Sequence, residues 1–258
     1  MKAGLRGLVV VAGLLLVWQT VVLATGVARF ILPPPLRVAE TWLARSDLIL
    51  GHAGITLAEI ALGLLLGAGF GAAAALLMAY FRPARLWLMP ALVASQAIPV
   101  FALAPILVLW LGYGMASKVA MASLIIFFPV SLAFLDGLRR AEPGWLELAR
   151  TMTAGSRRAR WAELRHVRAP AALPALGSGL RVAAAVAPIG AVVGEWVGSG
   201  AGLGYLMLHA NARMQTDLMF AALLTLAVMA VALYYAVDLA LRRLLPWQPD
   251  SLPSDERI

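Results

Sequence analysis

The sequence predicts an all-α membrane protein with six transmembrane helices. Its 258 residues are 62% hydrophobic and only 13% charged, and the mean hydropathy is +0.86. A soluble domain of this length would carry about a quarter charged residues. Six apolar stretches are each long enough to cross about 30 Å of hydrocarbon. They cover residues 7–28, 55–80, 86–111, 115–138, 172–197 and 217–241.

The basic residues between these stretches predict that both termini are cytoplasmic. In that orientation fifteen basic residues lie inside and five outside, namely Arg29, Arg37, Arg45, Lys118 and Arg213. This asymmetry satisfies the positive-inside rule. Arg181 falls within the fifth span, where we expect it to reach the surface or to pair with a carboxylate. The net charge of +8 thus follows membrane topology, and we expect the lipid bilayer, and no nucleic acid, as a partner.

Residues 1–54 are expected to hold the first span and a periplasmic amphipathic segment. Lys2 and Arg6 before an apolar run also resemble a signal peptide, with 22–24 as the cleavage site. The length of the run and the register of the later charges favour an uncleaved helix. After the three prolines 33–35, we expect a short helix along the outer surface, with Trp42 suited to the membrane interface. Packing, with no role in chemistry, is the preferred interpretation of this helix.

The sequence lacks the motifs of an enzyme. It has no cysteine, and its three histidines, His52, His166 and His209, are far apart, so we expect no metal site. Metalloprotease, serine-hydrolase and P-loop motifs are absent. The glycine-rich run 198–204 superficially resembles a dinucleotide fingerprint, but it follows a span instead of a strand. We expect no catalytic residue and no cofactor, and we interpret this run, with Gly202 and Gly204, as flexible backbone at an outer gate.

Polar side chains inside the spans predict where a translocation pathway lies. A charge at the bilayer centre costs about 2.5–3.5 kcal/mol on insertion scales, so such residues usually face a cavity or a partner helix. Glu195 in the fifth span and Gln96 in the third are the candidates for lining the pathway. The alternative for both is an interhelical hydrogen bond or an interfacial charge. For Glu59, at the start of the second span, that alternative is preferred.

Prolines and small residues add further expectations about the spans. Pro99 and Pro105 are predicted to interrupt the third span, and Pro188 the fifth, which makes these spans the pathway walls. Two glycine ridges at four-residue spacing predict close helix packing. They are Gly63, Gly67 and Gly71, and Gly190, Gly194 and Gly198. Packing within one subunit and a dimer interface both remain open for these ridges.

Residues 139–170 form a basic, amphipathic cytoplasmic insert. It carries eight arginines and three glutamates. Apolar residues recur in it at helical spacing, first Leu146, Leu148, Ala149 and Met152, then Trp161, Leu164 and Val167. Two short amphipathic helices joined at 153–156 are predicted. An apolar stripe on a charged segment indicates a groove on another protein or on the membrane surface.

The insert resembles the cytoplasmic signature of the permease subunits of bacterial ABC importers. That signature reads roughly E-A-A, three residues, G, nine residues, I-x-L-P. Here 147–149 match the opening, 167–170 match the close, and Thr153 occupies the glycine position. Thirteen residues separate Thr153 from Val167. In the family this segment seats in a cleft of the ATPase. The resemblance therefore implies ATPase contacts for Glu147, Leu148, Ala149, Met152, Thr153, Ala154, Gly155 and Pro170.

The resemblance covers residues 55–245 and implies a type-1 importer permease core. Segments 95–114 and 194–227 are similar to the nitrate, sulfonate and taurine-type permeases, and the second segment is closest to the hydroxymethylpyrimidine branch. This implies an inner-membrane homodimer with two ABC ATPase subunits and a periplasmic substrate-binding protein, and 246–258 as a cytoplasmic tail.

The expected function is ATP-driven import of a thiamine pyrimidine precursor, with a sulfonate, taurine or nitrate as alternatives. An ion-coupled secondary transporter and a non-transporting scaffold are the alternatives from other classes.

Overall fold

The chain is helical along its length, as its sequence predicts. The computed structural model describes residues 3–247, within which it contains α-helices, one π-helical turn and no strand. The helices are α1 (Ala3–Thr25), α2 (Pro35–Ala44), α3 (Ser46–Tyr80), α4 (Arg82–Ala97), α5 (Val100–Leu111), α6 (Met115–Arg139), α7 (Pro143–Met152), α8 (Ala159–Glu163), α9 (Ala169–Gly198), α10 (Leu203–Ala212) and α11 (Thr216–Leu244). The π-helical turn, Leu164–Arg168, joins α8 to α9. Most of the predicted tail, 248–258, lies outside the described residues.

Five helical segments of the described chain are long and apolar enough to cross a membrane. They are α1, α3, α6, α9 with its extension from Ala159, and α11, and the pair α4 and α5 makes a sixth if it is counted as one span. The pair is bent by 109°. Ile98 and Pro99 at the bend are both extended, with ψ of 121° and 124°. A proline disfavours the helical conformation of the preceding residue, so the chain breaks there.

The other two predicted interruptions are wrong. Pro105 lies inside a continuous α5, and α9 continues through both Pro174 and Pro188. Prolines are tolerated in membrane helices because neighbouring helices and local adjustments satisfy the freed backbone groups. Pro188 is buried among those neighbours. The fifth span is therefore one unbroken helix.

The predicted periplasmic helix is shorter than expected and faces inward. It is α2, whereas 46–54 belong to the 35-residue helix α3. The Trp42 side chain is half-buried, and its indole N–H donates to Thr225 Oγ1 of α11 at 2.9 Å. Val38, one helical turn before Trp42, is buried on the same side. Trp42 therefore packs against α11, and its depth at the membrane interface stays a prediction.

Both glycine ridges pack within the subunit, five of the six glycines against α6 and Gly198 against Val108 of α5. A Cβ on Gly67 would lie 2.8 Å from Ile126 Cβ, and one on Gly194 would lie 3.0 Å from Lys118 Cα. A Cβ on Gly190 would likewise meet the backbone of Ala122. Backbones that approach this closely require small residues. Since α6 occupies these faces, the ridges serve packing inside one subunit, and the alternative of a dimer interface on them is wrong.

The central helices α3, α6 and α9 are joined along their whole length by apolar side chains. Ile60, Ile126 and Ala187 belong to a buried cluster at the level of the ridges. Met78 and Leu138 belong to another at the opposite end, where α3 and α6 finish. Because interiors this dense transmit displacement instead of absorbing it, the three helices connect the two sides of the membrane mechanically.

Arg181 pairs with a carboxylate, as one of its two sequence-based expectations states. Its Nε lies 2.6 Å from Asp238 Oδ1, and Arg242 Nε lies 2.8 Å from the other oxygen of the same carboxylate. The pair joins α9 to α11 at the cytoplasmic side of the spans. An arginine at this depth thus has its charge compensated without leaving the helix bundle.

We predict that Gly67→Ala lowers the thermal stability of the purified protein, whereas Gly69→Ala does not. A Cβ at Gly67 would lie 2.7 Å from Ser123 O, a backbone atom of α6, whereas a Cβ at Gly69 meets no atom within 4 Å. Overpacking of this kind costs about 1–3 kcal/mol. Thermal unfolding in detergent measures both variants, and equal unfolding temperatures would contradict the packing described for α3 and α6.

Candidate functional site

The glycine-rich run ends in a tight turn that begins α10. Gly202 has φ of +116°, a conformation that residues with a side chain rarely adopt. α10 starts at the next residue, Leu203. The first backbone N–H groups of any helix have no partner within the helix, and in a membrane they cannot all rely on water. The start of α10 therefore needs acceptors from other helices.

Two side chains of α3 supply acceptors for the first of these groups. The Gly202 N–H donates to His52 Nδ1 at 2.9 Å, and the Leu203 N–H donates to Thr56 Oγ1 at 2.8 Å. His52 and Thr56 lie four residues apart, so both point from one face of α3. Accepting this hydrogen bond requires that His52 Nδ1 carries no proton. The start of α10 is thus attached to α3.

Glu195 of α9 supplies acceptors for the next two groups. Its Oε2 accepts hydrogen bonds from the Gly204 N–H and, at 3.3 Å, from the Tyr205 N–H. Its Oε1 accepts a hydrogen bond from the Thr56 hydroxyl at 2.5 Å. A carboxylate at a helix N-terminus is also favoured by the helix dipole. Glu195, only 1% exposed, therefore joins α9, α3 and α10 at one point. We refer to His52, Thr56, Glu195 and residues 202–205 as the outer clamp.

The glycines of the outer clamp are needed for close approach. A Cβ on Gly204 would lie 2.7 Å from Glu195 Oε2 and 3.2 Å from Val192 Cα. A Cβ on Gly202 would also collide with the Glu195 carboxyl group. Tight packing against a carboxylate, rather than the flexibility predicted from the sequence, explains glycine at both positions.

A buried ion pair lies next to the outer clamp. Lys118 Nζ of α6 is 3.1 Å from Glu59 Oε1 of α3, and the two side chains are 7% and 0% exposed. Neither Glu59 oxygen accepts a well-formed hydrogen bond from residues 3–247. Glu195 is close enough to interact with Glu59 as well. The ammonium group of Lys118 is thus paired with Glu59, whereas the Glu195 carboxylate is held by Thr56 and the start of α10. The expectation that Glu59 makes an interhelical contact is met, whereas the placement of Lys118 among the outer loop charges is wrong.

The other predicted pathway residues lie elsewhere. Gln96 and Pro99 are exposed at the bend between α4 and α5. Gln96 lines a cavity of about 280 Å³ with Leu103, Phe127 and other mostly apolar residues. Glu195 does not line this cavity. The structure therefore brings Glu195, Gly202 and Gly204 together and leaves Gln96 and Pro99 apart from them, and contact of any of the five with solute stays a prediction.

The cytoplasmic insert forms an arm that continues directly into α9. The first predicted amphipathic helix is α7, and the turn after it contains Gly155 with φ of +84°. Glycine readily adopts this left-handed conformation, so the residue two positions after Thr153 makes the turn possible. The second predicted helix is not a separate unit, because α8 and the π-helical turn run without a break into α9.

An apolar cleft of about 800 Å³ lies between α7 and the start of α9. Five of the predicted ATPase-contact residues line it, namely Leu148, Ala149, Met152, Thr153 and Pro170. Leu148 and Met152 are 60% and 78% exposed, which is unusual for apolar side chains on a cytoplasmic arm. Glu147, Ala154 and Gly155 are exposed outside the cleft. ATPase contact by these eight residues stays a prediction.

A carboxylate that the sequence reasoning missed holds the arm together. Glu163, 9% exposed, accepts hydrogen bonds from Arg150 Nε of α7 at 3.3 Å and from Arg168 Nε at 2.7 Å. Arg168 also lies 3.4 Å from the Leu138 carbonyl oxygen at the end of α6. The sequence does offer an indication of this contact, because Glu163 is the only carboxylate in the second half of the insert, which is otherwise basic. Through it α7 is fixed to the start of α9.

Comparisons with known proteins agree with this architecture. The family described as "Binding-protein-dependent transport system inner membrane component" matches residues 60–248. A probable ABC transporter permease protein of Haemophilus influenzae is 54% identical, covering 93% of this chain and 96% of the relative. A riboflavin transport system permease of Chloroflexus aurantiacus is 40% identical, covering 94% and 90%. A formylaminopyrimidine transport permease of Halalkalibacterium halodurans is 36% identical, covering 91% and 92%.

A solved structure shares the fold. The crystal structure of an amino acid ABC transporter with histidines aligns with a TM-score of 0.61 and covers 79% of this chain and 97% of its own. The identity is 19%, so the likeness concerns the fold alone. The type-1 importer permease core that the sequence predicts is thereby confirmed.

We predict that Glu195→Gln loosens the start of α10. The amide retains one acceptor oxygen and places an NH₂ group against backbone donors, and an unsatisfied buried donor costs about 1–3 kcal/mol. Hydrogen exchange of the backbone amides at 203–205 should be faster than in the wild type. The control is Glu40→Gln on α2, whose carboxylate makes only an exposed ion pair with Arg37. Unchanged exchange in Glu195→Gln would contradict the outer clamp.

We also predict non-additive losses of stability for the pair Glu59 and Lys118. Lys118→Met leaves the buried Glu59 carboxylate without its counter-charge, a loss of about 3–5 kcal/mol. The double variant Glu59→Gln with Lys118→Met should be more stable than Lys118→Met alone, because the unpaired charge is removed. Thermal unfolding of the single and double variants measures the coupling. Strictly additive losses would mean that the pair contributes nothing.

Proposed function

We propose that this chain, which belongs to the family of binding-protein-dependent transport system inner membrane components, imports a small nitrogen heterocycle such as a thiamine pyrimidine precursor. The chain is an ABC transporter permease subunit, a multi-pass protein of the inner membrane and a transport component rather than an enzyme. Members of this family associate with ATPase and binding-protein components. The solute, the homodimer and the stoichiometry are the subjects of the proposal.

The names of the relatives support a heterocycle over a sulfonate. The relatives named for riboflavin and formylaminopyrimidine are 40% and 36% identical to the chain, whereas a relative named for aliphatic sulfonates is 32% identical and one named for taurine is 29% identical.

The mechanism that we propose rests on the continuity of α9. Its 30 residues span about 45 Å, enough to cross the membrane with excess length. The cytoplasmic end of α9 is fixed to the arm through Arg168 and Glu163, and the outer end carries Glu195 of the outer clamp. The observation that carries the proposal is that α9 is unbroken between these two ends. A displacement of the arm is therefore transmitted along α9 to the outer clamp.

In this mechanism two ATPase subunits dock on the arms of two permease copies, with the exposed apolar residues Leu148 and Met152 in the contact. ATP-driven closure of the ATPases displaces the arm and, with it, α9. Glu195 then withdraws from the start of α10, and the outer side opens to a loaded periplasmic binding protein. The outer clamp is thus a two-state element, biased by nucleotide on one side and by binding protein on the other.

The experiment is ATP-dependent uptake into vesicles that hold the permease, its ATPase and its binding protein. Hydroxymethylpyrimidine, riboflavin, taurine and nitrate are offered separately, each with ATP and with a non-hydrolysable analogue. We expect uptake of the pyrimidine with ATP only. Preferred uptake of taurine or nitrate would overturn the heterocycle proposal. Uptake that persists without ATP and disappears when ionophores collapse the ion gradients would indicate a secondary transporter.

We predict that Glu147→Arg prevents the ATPase from co-purifying with the permease. Glu147 is exposed on α7 beside the apolar cleft, and charge reversal at a close interfacial pair commonly costs 2–5 kcal/mol, or about 30-fold and more in affinity. Glu142→Arg is the matched control, because it reverses an exposed carboxylate at the cap of the same helix outside the family signature. Equal recovery of the ATPase with both variants would place docking elsewhere.

A further inference from the structure

A second polar pocket lies on the cytoplasmic side, apart from the apolar cleft and the outer clamp. Its volume is about 380 Å³, and it is formed by the end of α3, the start of α4 and the arm. Its charged lining residues are Arg82, Arg85, Arg150, Arg160, Arg168 and Glu163. Five guanidinium groups and one carboxylate face the same space. We refer to it as the arginine pocket.

The positive charge of the arginine pocket is only partly compensated. Glu163 is shared by Arg150 and Arg168. Arg160 donates to the Tyr80 carbonyl oxygen at 2.9 Å and stacks over the Tyr80 ring. The five arginines and Glu163 together give the pocket lining a net formal charge of +4.

Three arginines of the pocket lack an acidic partner. Within residues 3–247, none of Arg82, Arg85 and Arg160 lies within 4.0 Å of a carboxylate oxygen. Arg82 and Arg85 stand in the first turn of α4, whose free backbone N–H groups also favour an anion. Guanidinium groups bind phosphate oxygens in a bidentate geometry that lysine cannot provide, and every basic lining residue here is an arginine. The lining therefore suits a phosphate group.

The depth of the pocket is that of the lipid headgroups. It lies where α3 ends at Tyr80 and α4 begins, at the cytoplasmic boundary of two spans. Leu86 and Trp87, which follow directly, are 62% and 81% exposed. An exposed tryptophan beside basic residues is typical of the membrane–water interface. A phosphate at this position is most readily supplied by the inner leaflet.

We propose that the arginine pocket binds a phosphate-bearing anion, the headgroup of an anionic phospholipid. The bound phosphate accepts hydrogen bonds from Arg82 and Arg85 and joins α4 to the arm through Arg160. Because Arg160 belongs to α8 of the arm, the bound phosphate attaches the arm to α4, beside the attachment of α7 to α9 that Glu163 makes with Arg150 and Arg168. The lipid composition of the inner leaflet would then set how firmly the arm is held, independently of the transported solute.

The test measures lipid retention by the full-length protein. The purified chain is equilibrated with phosphatidylglycerol or phosphatidylcholine, and bound lipid is counted by native mass spectrometry. We expect retention of phosphatidylglycerol by the wild type and a loss on the order of ten-fold in the double variant Arg82→Gln with Arg85→Gln. The matched control is Arg157→Gln with Arg158→Gln, which removes the same charge from exposed residues outside the pocket.

Four outcomes would overturn the proposal. Equal losses in both double variants would mean non-specific attraction, and equal retention of the two lipids would mean no charge selection. A pocket variant that keeps its lipid but no longer co-purifies with the ATPase would assign the arginines to a protein partner.

Competition with inorganic phosphate distinguishes a lipid headgroup from a soluble phosphate as the ligand. Binding of free phosphate with no preference for lipid would indicate a soluble anion. If the pocket variant fails to fold, stronger thermal stabilisation of the wild type by phosphatidylglycerol than by phosphatidylcholine is required instead.

Discussion

The hydrogen bonding of the first N–H groups of α10 is the constraint on which the outer half of the structure depends. A helix that starts within a membrane protein cannot leave these groups without acceptors. Here His52 and Thr56 of α3 and Glu195 of α9 accept all four hydrogen bonds from residues 202–205. Glycines at 202 and 204 are needed because the turn approaches the Glu195 carboxyl group so closely. Moving α3, α9 or α10 relative to the other two therefore breaks several hydrogen bonds together. This favours two discrete states of the outer clamp, closed and open, over gradual opening.

Continuity of α9 turns this local constraint into a connection across the membrane. Its cytoplasmic end is held by Glu163, Arg150 and Arg168, and its outer end supplies Glu195. Between the two ends, glycines pack α9 directly against α6, so little displacement is lost to side-chain rearrangement. An unbroken helix suits this role better than the interrupted span that Pro188 predicts from the sequence. The ATPase-facing cleft and the outer clamp are thus two ends of one mechanical element.

Hydropathy and charge placement are local properties, and they are sufficient to predict the apolar spans and the position of the charged insert between them. Glu195 could be singled out because a carboxylate inside a span is rare. Lys118 could not be placed correctly, since its position near the outer end of α6 fits a loop charge equally well. Only the contact of α6 with α3 shows that it neutralises Glu59. The sequence predicts that Gln96 and Glu195 both line the pathway because both are polar residues inside spans. It does not show which faces of the third and fifth spans meet.

Nucleotide binding by the ATPase subunits should open the outer clamp, and the distance between α3 and α10 reports this opening. The sequence contains no cysteine, so spin labels can be attached selectively at Leu50→Cys of α3 and Leu208→Cys of α10, both exposed and outside the clamp. The distance between the labels is measured by pulsed electron paramagnetic resonance in the assembled transporter, without nucleotide and after trapping with ATP and vanadate. Opening of the clamp predicts a longer distance in the trapped state. An unchanged distance in a complex that still transports would contradict the coupling of the arm to the clamp.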